Sequence, residues 1–309
     1  MLSENFYFTF SGEAQNEIYD YIKELHTYEK VEQARLLTTD ECPTFRKEVE
    51  EVREIVENGK KIVIVKPFVD LHNKYTILEQ RTISWLIGGI LGESIVQNEA
   101  GDRVICVYDR DRNNSMTKGA RYHQTREGGS IHTDNVNVPY HWDYLLLTCI
   151  APAMSGGENI LVNGLHVHKI LKEKHPDVLA ILEKNFIWEQ RGVADAIYEA
   201  PIISYNKKGE PIYRHLRPYM ESAHNKMNKP LTAEQLYAID TLDSILEHSD
   251  NQYRHTFSSG EILISNDSQT LHGRTCFSDA FDAVTILDWK KDHHKPLKRT
   301  MDRLWIIKK

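Results

Sequence analysis

The sequence predicts a mainly β fold with α-helices, a barrel or jelly roll with helices packed outside and before it. Three features carry that expectation. Helices and strands alternate over roughly the first 100 residues, while short strands bounded by turn residues dominate the rest around one helical insert. The strands are β-branched or leucine-rich and mostly continuous in apolar character, as expected of strands covered on both faces. Neither a G-x-G-x-x-G turn nor a Walker loop is present, so the parallel dinucleotide-binding alternative has no support.

In chain order, Ile18, Tyr21, Ile22 and Leu25 recur at helical spacing. A second helix covers about Phe45 to Val56 and stops at Asn58-Gly59, a helix-ending pair. "KKIVIVKPF" (60–68) reads as a buried strand. Thr76 and Glu79 form a capping box for a helix reaching about Leu91. "RVICVYD" (103–109), "YLLLTCIAP" (144–152) and "NILVNG" (159–164) read as strands, with a turn at Gly156-Gly157. One helix is expected from about Leu165 through "KILKEKHPDVLAILEK". "PIISYNKKGEPIYRHLR" reads as a hairpin bending at Asn206 to Gly209. Thr232 and Gln235 cap a helix whose apolar face is Leu236, Ile239, Leu242, Ile245 and Leu246. "GEILISND", "VTILDWK" and "RLWII" complete the strands.

No repeat, low-complexity tract or flexible linker divides the 309 residues. One catalytic domain over 1–309 is expected, with a helical and mixed part over roughly 1–100 and the jelly-roll core over roughly 101–309. The net charge of −7 comes without any basic stripe, which gives no reason to expect a nucleic-acid partner. "SWLIGGILG" is too short to span a bilayer, and "MLSENFYFTFSGEAQ" lacks the pattern of a signal peptide, so no membrane partner is expected. Cys42, Cys106, Cys149 and Cys276 are far apart and include no C-x-x-C pair, which suits a reducing cytoplasm.

"GGSIHTDNVNVPY" (128–140) sets His132 and Asp134 two apart, so that on a strand both side chains face one side. A metal ion is the natural object between them, and a third ligand is then needed. His272, in "ISNDSQTLHGRTCF", directly follows a strand in polar context. His166 and His168 open a helix, where i and i+2 diverge. His293-His294 sits in a charged stretch that reads as a solvated loop. "YDRDRNN" superficially resembles a calcium loop, but Asn114 stands where that loop needs glycine and Ala120 where it needs glutamate. Two histidines and one carboxylate form the facial triad of non-haem Fe(II) oxygenases, which leaves coordination positions open.

The ordered set H-x-D, "GGENILVNG", "SGEILISND....LHGRT.F" and "RTMDRLW" resembles the Fe(II)/2-oxoglutarate oxygenases of the taurine dioxygenase, γ-butyrobetaine hydroxylase and clavaminate synthase-like group. "KIVIVKPF" and "TILEQRTISWLIGGILGES" resemble the family's early strand and helix. The resemblance spans roughly residues 60–306 and implies a double-stranded β-helix (jelly-roll) core. It also implies Fe(II), 2-oxoglutarate as cosubstrate, and O2. His132, Asp134 and His272 would be the metal ligands and catalytic residues. Arg299 would pair with the distal carboxylate of 2-oxoglutarate through its planar fork. Asn159 stands where members often carry a threonine touching the same carboxylate.

Arg303, four residues on, matches a position that meets an anionic substrate in some members, and a structural ion pair is the competing reading. Arg274 is an alternative to Arg299, because about 27 residues separate His272 from Arg299, a longer gap than usual in the family. Asn135, with Asn137, Tyr140 and Arg217, would sit near the metal and suggests a small polar substrate, such as an amino acid derivative. A carboxylate at 134, where halogenating relatives carry a small residue, favours hydroxylation. Desaturation, epimerisation and cyclisation by the same oxidant, or a metal-binding jelly roll that is not an oxygenase, are the alternatives.

Overall fold

The computed structural model describes residues 6–309 apart from 112, 114, 116–119, 191–193, 195 and 290–293. Two sheets face one another. The major sheet runs in the order Tyr7–Phe8, Ile62–Val65, Ile262–Asn266, Tyr144–Ala151, Thr300–Lys308 and Gly92–Ser94, with Ile105–Val107 also paired to Thr300–Lys308. The minor sheet is antiparallel, in the order Gln252–His255, Asn159–Asn163, Thr270–Arg274 and Gly129–His132. This is the double-stranded β-helix. Strands from the first 100 residues pair within the major sheet, so the expected division near residue 100 does not separate helices from core. Ile62–Val65 hydrogen-bonds to Ile262–Asn266 across that line.

Strand alternation sorts the apolar side chains into three packed layers. Ile62, Ile64, Leu145, Leu147, Leu263, Met301 and Trp305 of the major sheet meet Leu161 of the minor sheet between the two. The alternate positions Val63, Val65, Leu146, Ile262, Ile264, Leu304 and Ile306 pack outward onto Gly12–Glu24, Pro43–Asn58 and Ile77–Leu91. Ile131, Ile160, Val162 and Leu271 of the minor sheet pack outward onto helices between residues 164 and 247. Both faces of the central strands are therefore buried, which explains why those strands read as continuous apolar runs rather than as alternating ones.

The capping box at Thr76 closes with Glu79 in both directions, at 2.7 and 3.3 Å. A capped N-terminus of this kind is worth about 1 kcal/mol. The box at Thr232 closes likewise with Gln235.

Four expectations are corrected. Pro176 lacks an N–H and divides the expected single helix into Gly164–Lys174 and Pro176–Leu182. "VTILDWK" forms a helical turn at Ile286–Trp289 instead of a strand; Thr285 caps it through the Asp288 N–H at 3.3 Å. Leu236 is exposed, and Ala238 takes its place on the buried face. Three strands with weak apolar signals were not anticipated: Asn185–Glu189, Ile197–Pro201 and Gln252–His255. Asn114 of the calcium-like loop and His293 lie outside the described residues. Asp109 of that loop is buried and is bound by Arg126.

Candidate metal centre and its cavity

His132 is the last residue of Gly129–His132, and His272 sits in the adjacent antiparallel strand Thr270–Arg274 as its direct cross-strand partner. Their ring centroids are 4.5 Å apart. Asp134 lies just past the strand end, at the first position of the short helical turn Asp134–Asn137, so His132 and Asp134 do not share one strand as expected. The turn folds the carboxylate back instead. One ligand atom from each of the three residues lies within 4.8 Å of the others, and all three residues are buried. Asp134 Oδ1 is 3.6 Å from His132 Nε2 and 3.9 Å from His272 Nε2.

The hydrogen bonds around the triad fall mainly on its outward atoms, although Arg303 Nη1 also reaches Asp134 Oδ1 at 3.4 Å. The Ser130 carbonyl accepts a hydrogen bond from His132 Nδ1 at 2.7 Å, which turns Nε2 toward Asp134. The other carboxylate oxygen, Oδ2, accepts from Trp305 Nε1 at 2.9 Å and from Arg303 Nη1 at 3.2 Å. Trp305 is itself stacked on Trp142, with centroids 4.1 Å apart. Burial would raise the Asp134 pKa, but the adjacent Arg303 guanidinium outweighs it and holds the group well below the usual carboxylate range. Burial, assisted by His132, lowers His272 to about 3, so its imidazole is neutral. A carboxylate and neutral imidazoles are the forms that bind a divalent metal.

The triad lines a cavity together with Tyr122, Asn159, Arg274, Arg299, Met301 and Arg303. Met301 and Arg303 share the inward face of strand Thr300–Lys308, and Arg299, expected on the same strand, instead lies just before it and reaches the same cavity. Arg299 is 4% exposed, its Nη1 has no partner, and it makes no ion pair among the described residues. It rests over the Phe277 ring at 5.1 Å and against Gly157, whose φ of +73° and lack of a Cβ let the guanidinium approach. Burial, then repulsion from Arg274, lowers the Arg299 pKa to about 10. Asn159 lines the same cavity, and its amide makes only a long contact, 3.4 Å, to the Gly157 carbonyl. Arg274 is anchored through Nη2 to the Tyr122 and Thr125 carbonyls at 3.3 and 2.5 Å, so its fork is less free than that of Arg299.

The expected substrate contacts fare differently. Asn135 is fully buried, donates to the Tyr213 carbonyl at 3.0 Å and to His141 Nδ1 at 2.8 Å, and accepts from Thr133 Oγ1 at 2.9 Å. It does not line the cavity, and its amide is consumed in holding the turn after Thr133, which corrects the expectation of a substrate contact. Tyr140 is exposed, and Arg217 is engaged by Glu221, Asp240 and Asp243 away from the cavity. Arg303 lines the cavity, but its Nη1 is on Asp134 and its Nε on Gln97 Oε1 at 2.8 Å. His166 and His168 are bound to Asn251 and Tyr205 and do not converge.

Sequence reading missed Gln97, Arg121 and Trp305. Trp305 carried a usable signal, since it follows Met301 and Arg303 at a period of two. Gln97 and Arg121 lie in irregular segments with no such pattern.

A family model described as taurine catabolism dioxygenase TauD, TfdA family matches residues 21–286. FR-33289 synthase of Streptomyces rubellomurinus is 25% identical over 235 residues, covering 75% of this chain and 65% of that protein. The match therefore spans just under two thirds of that relative's own length. Among solved structures, an asparagine oxygenase in complex with Fe(II), (2S,3S)-3-hydroxyasparagine and succinate has a TM-score of 0.69 at 13% identity, covering 98% of this chain and 94% of that one. The non-heme iron oxygenase OrfP, in complex with Fe and α-ketoglutaric acid, has a TM-score of 0.66 at 15% identity, covering 97% and 93%. At such identities these structures bear on the fold, and they share its jelly roll. The extent of the family match decides membership: the chain belongs to the taurine catabolism dioxygenase TauD, TfdA family.

Proposed function

We propose that the protein is an Fe(II)- and 2-oxoglutarate-dependent dioxygenase. It would hydroxylate a C–H bond of a small polar substrate, of the amino-acid type, and release succinate and CO2. One observation carries this reading: a buried His132–Asp134–His272 triad lines one cavity with a buried arginine that has no carboxylate partner among the described residues. The donor set fits Fe(II), with two imidazole nitrogens and one carboxylate. Arg299 fits the distal carboxylate of 2-oxoglutarate, because an unpaired buried guanidinium gains most from a planar anion.

His132, Asp134 and His272 would hold the metal. The Ser130 carbonyl orients the His132 ring, and Arg303 with Trp305 engages Asp134 Oδ2, so that Oδ1 is the oxygen turned to the histidines. Arg299 would anchor the cosubstrate, with Asn159 beside it. When bound, iron and 2-oxoglutarate supply the reduction of O2 that oxidises the substrate carbon. The apolar walls Val107, Leu147 and Met301 exclude water from that chemistry.

The amino-acid type follows from the neighbours, whose structures hold hydroxyasparagine and (3S)-hydroxy-L-Arg. Among the described residues no helix is long and apolar enough to cross a membrane, and all four cysteines are free, which suits a small-molecule enzyme of the cytoplasm. The test is succinate formation and O2 uptake by purified protein with Fe(II) and 2-oxoglutarate, followed by a mass-spectrometric search of amino acid derivatives for the gain of one oxygen. Iron-dependent succinate release is expected. No succinate under any metal and substrate condition, from folded protein, contradicts the reading.

A further inference from the structure

At the Asp134 end of the cavity the arrangement of guanidinium groups leaves one anion unaccounted for. Arg303 is largely committed: Nε donates to Gln97 Oε1, Nη1 to Asp134, and only Nη2 lacks a partner. Arg121 is held by the same glutamine, its Nη1 donating to the Gln97 carbonyl at 3.4 Å. Gln97 is fully buried and is fixed in turn by its own amide, which donates to the Arg103 and Arg303 carbonyls at 2.8 and 2.9 Å. Arg121 is 8% exposed, and its Nε and Nη2 have no partner.

Those two nitrogens form one edge of the guanidinium, two parallel donors spaced to meet two oxygens of a single oxyanion. Arg121 stands behind the cavity wall, and the two residues that follow it, Tyr122 and His123, line the cavity beside the triad. Arg303, Arg121 and Arg110 all set a positive field at His123, and the Asp134 carboxylate that opposes them already pairs with Arg303. Tyr219, whose hydroxyl accepts the Tyr122 N–H at 3.3 Å, also hydrogen-bonds to the Arg121 guanidinium as a neutral partner that leaves its charge unmatched.

We propose that Arg121, rather than Arg303, provides the bidentate contact for an oxyanion of the primary substrate, a carboxylate, phosphonate or sulfonate. Gln97 is the positioning residue that holds Arg121 and Arg303 side by side. The identity of this anion as the primary substrate rests on the oxygenase reading. The presence of an oxyanion site does not.

The experiment titrates the protein with methylphosphonate and with acetate, each against a neutral counterpart, dimethyl methylphosphonate and methyl acetate. Binding of Fe(II) and 2-oxoglutarate to the wild-type chain is measured first. Failure at that step contradicts the oxygenase reading, and the anion titration is then run on the metal-free chain, where Arg121 is still tested. The wild type is expected to prefer at least one anion over its neutral ester by about tenfold or more, the size of one charge-assisted contact. The preference should weaken with added salt. The better of the two anions distinguishes a carboxylate from a phosphonate substrate.

Arg121→Gln should remove most of the preference, and Arg121→Lys should keep only part, since a point charge does not reproduce the fork. No preference in the wild type, or a full preference in folded Arg121→Gln, overturns the proposal. Should Arg121→Gln fail to fold, Arg121→Lys carries the test, and wild-type preference in that variant overturns it.

Discussion

Arg299 and Arg303 lie four residues apart and face one cavity, yet their surroundings differ. Arg299 lies against Phe277 and Gly157 with no ion pair among the described residues, while Arg303 is paired with Asp134 and held by Gln97. The same side chain at the same spacing is thus left open at one end of the cavity and closed at the other. Partners, and not residue type, decide which arginine awaits an anion. A buried guanidinium already matched to a carboxylate gains little from a ligand, and one without a match gains most.

The largest effects should come from the residues between these ends. His132→Ala, Asp134→Ala and His272→Ala are each expected to abolish metal-dependent turnover of 2-oxoglutarate, with metal binding followed by calorimetry. Retained turnover in any one of them would remove that residue from the triad. Asp134→Ala should also lower stability more than either histidine change, because it strips Arg303 of its one ion-pair partner among the described residues. Breaking a buried pair costs about 3–5 kcal/mol, and a denaturant melt of the metal-free proteins measures it.

Arg303→Gln comes next. It should loosen the metal site about 10- to 100-fold, as loss of a group that orients a ligand does. A metal titration reads this directly, and unchanged metal affinity would make the contact to Asp134 incidental. Asn135→Ala should act on the fold alone, since its amide serves buried partners. About 1–3 kcal/mol of stability should be lost, with no change in the KM for a substrate once one is known. The smallest effect belongs to the helix-opening pair. His168→Ala should change stability by no more than about 0.5 kcal/mol and leave metal binding intact.

How far the sequence reached follows the same division between local pattern and distant partner. The apolar runs at 62–65, 144–151, 262–266 and 300–308 were legible as strands because burial on both faces imposes continuous hydrophobicity. The caps at Thr76 and Thr232 were legible because a box is written within four residues. His132, Asp134 and His272 were legible as a set because the motifs around them recur in order.

The occupant of each polar group was not legible. Nothing local to Asn135 announces Tyr213 and His141 as its partners. Nothing near Arg303 announces Gln97, about 200 residues earlier in the chain. Arg121 was passed over because its significance lies in donors that lack partners, and a sequence does not record that.

The most direct test of the comparison is a pair of anaerobic titrations of the Fe(II)-loaded protein with 2-oxoglutarate, one on Arg299→Gln and one on Arg303→Gln. Each hydrogen bond to a charged group is worth about 1.5–3 kcal/mol. Affinity for 2-oxoglutarate, read at iron concentrations that saturate both variants, should therefore fall about ten- to a hundredfold or more in Arg299→Gln and stay near the wild-type value in Arg303→Gln. The reverse outcome, with cosubstrate lost in Arg303→Gln and kept in Arg299→Gln, would contradict the account and exchange the two arginines.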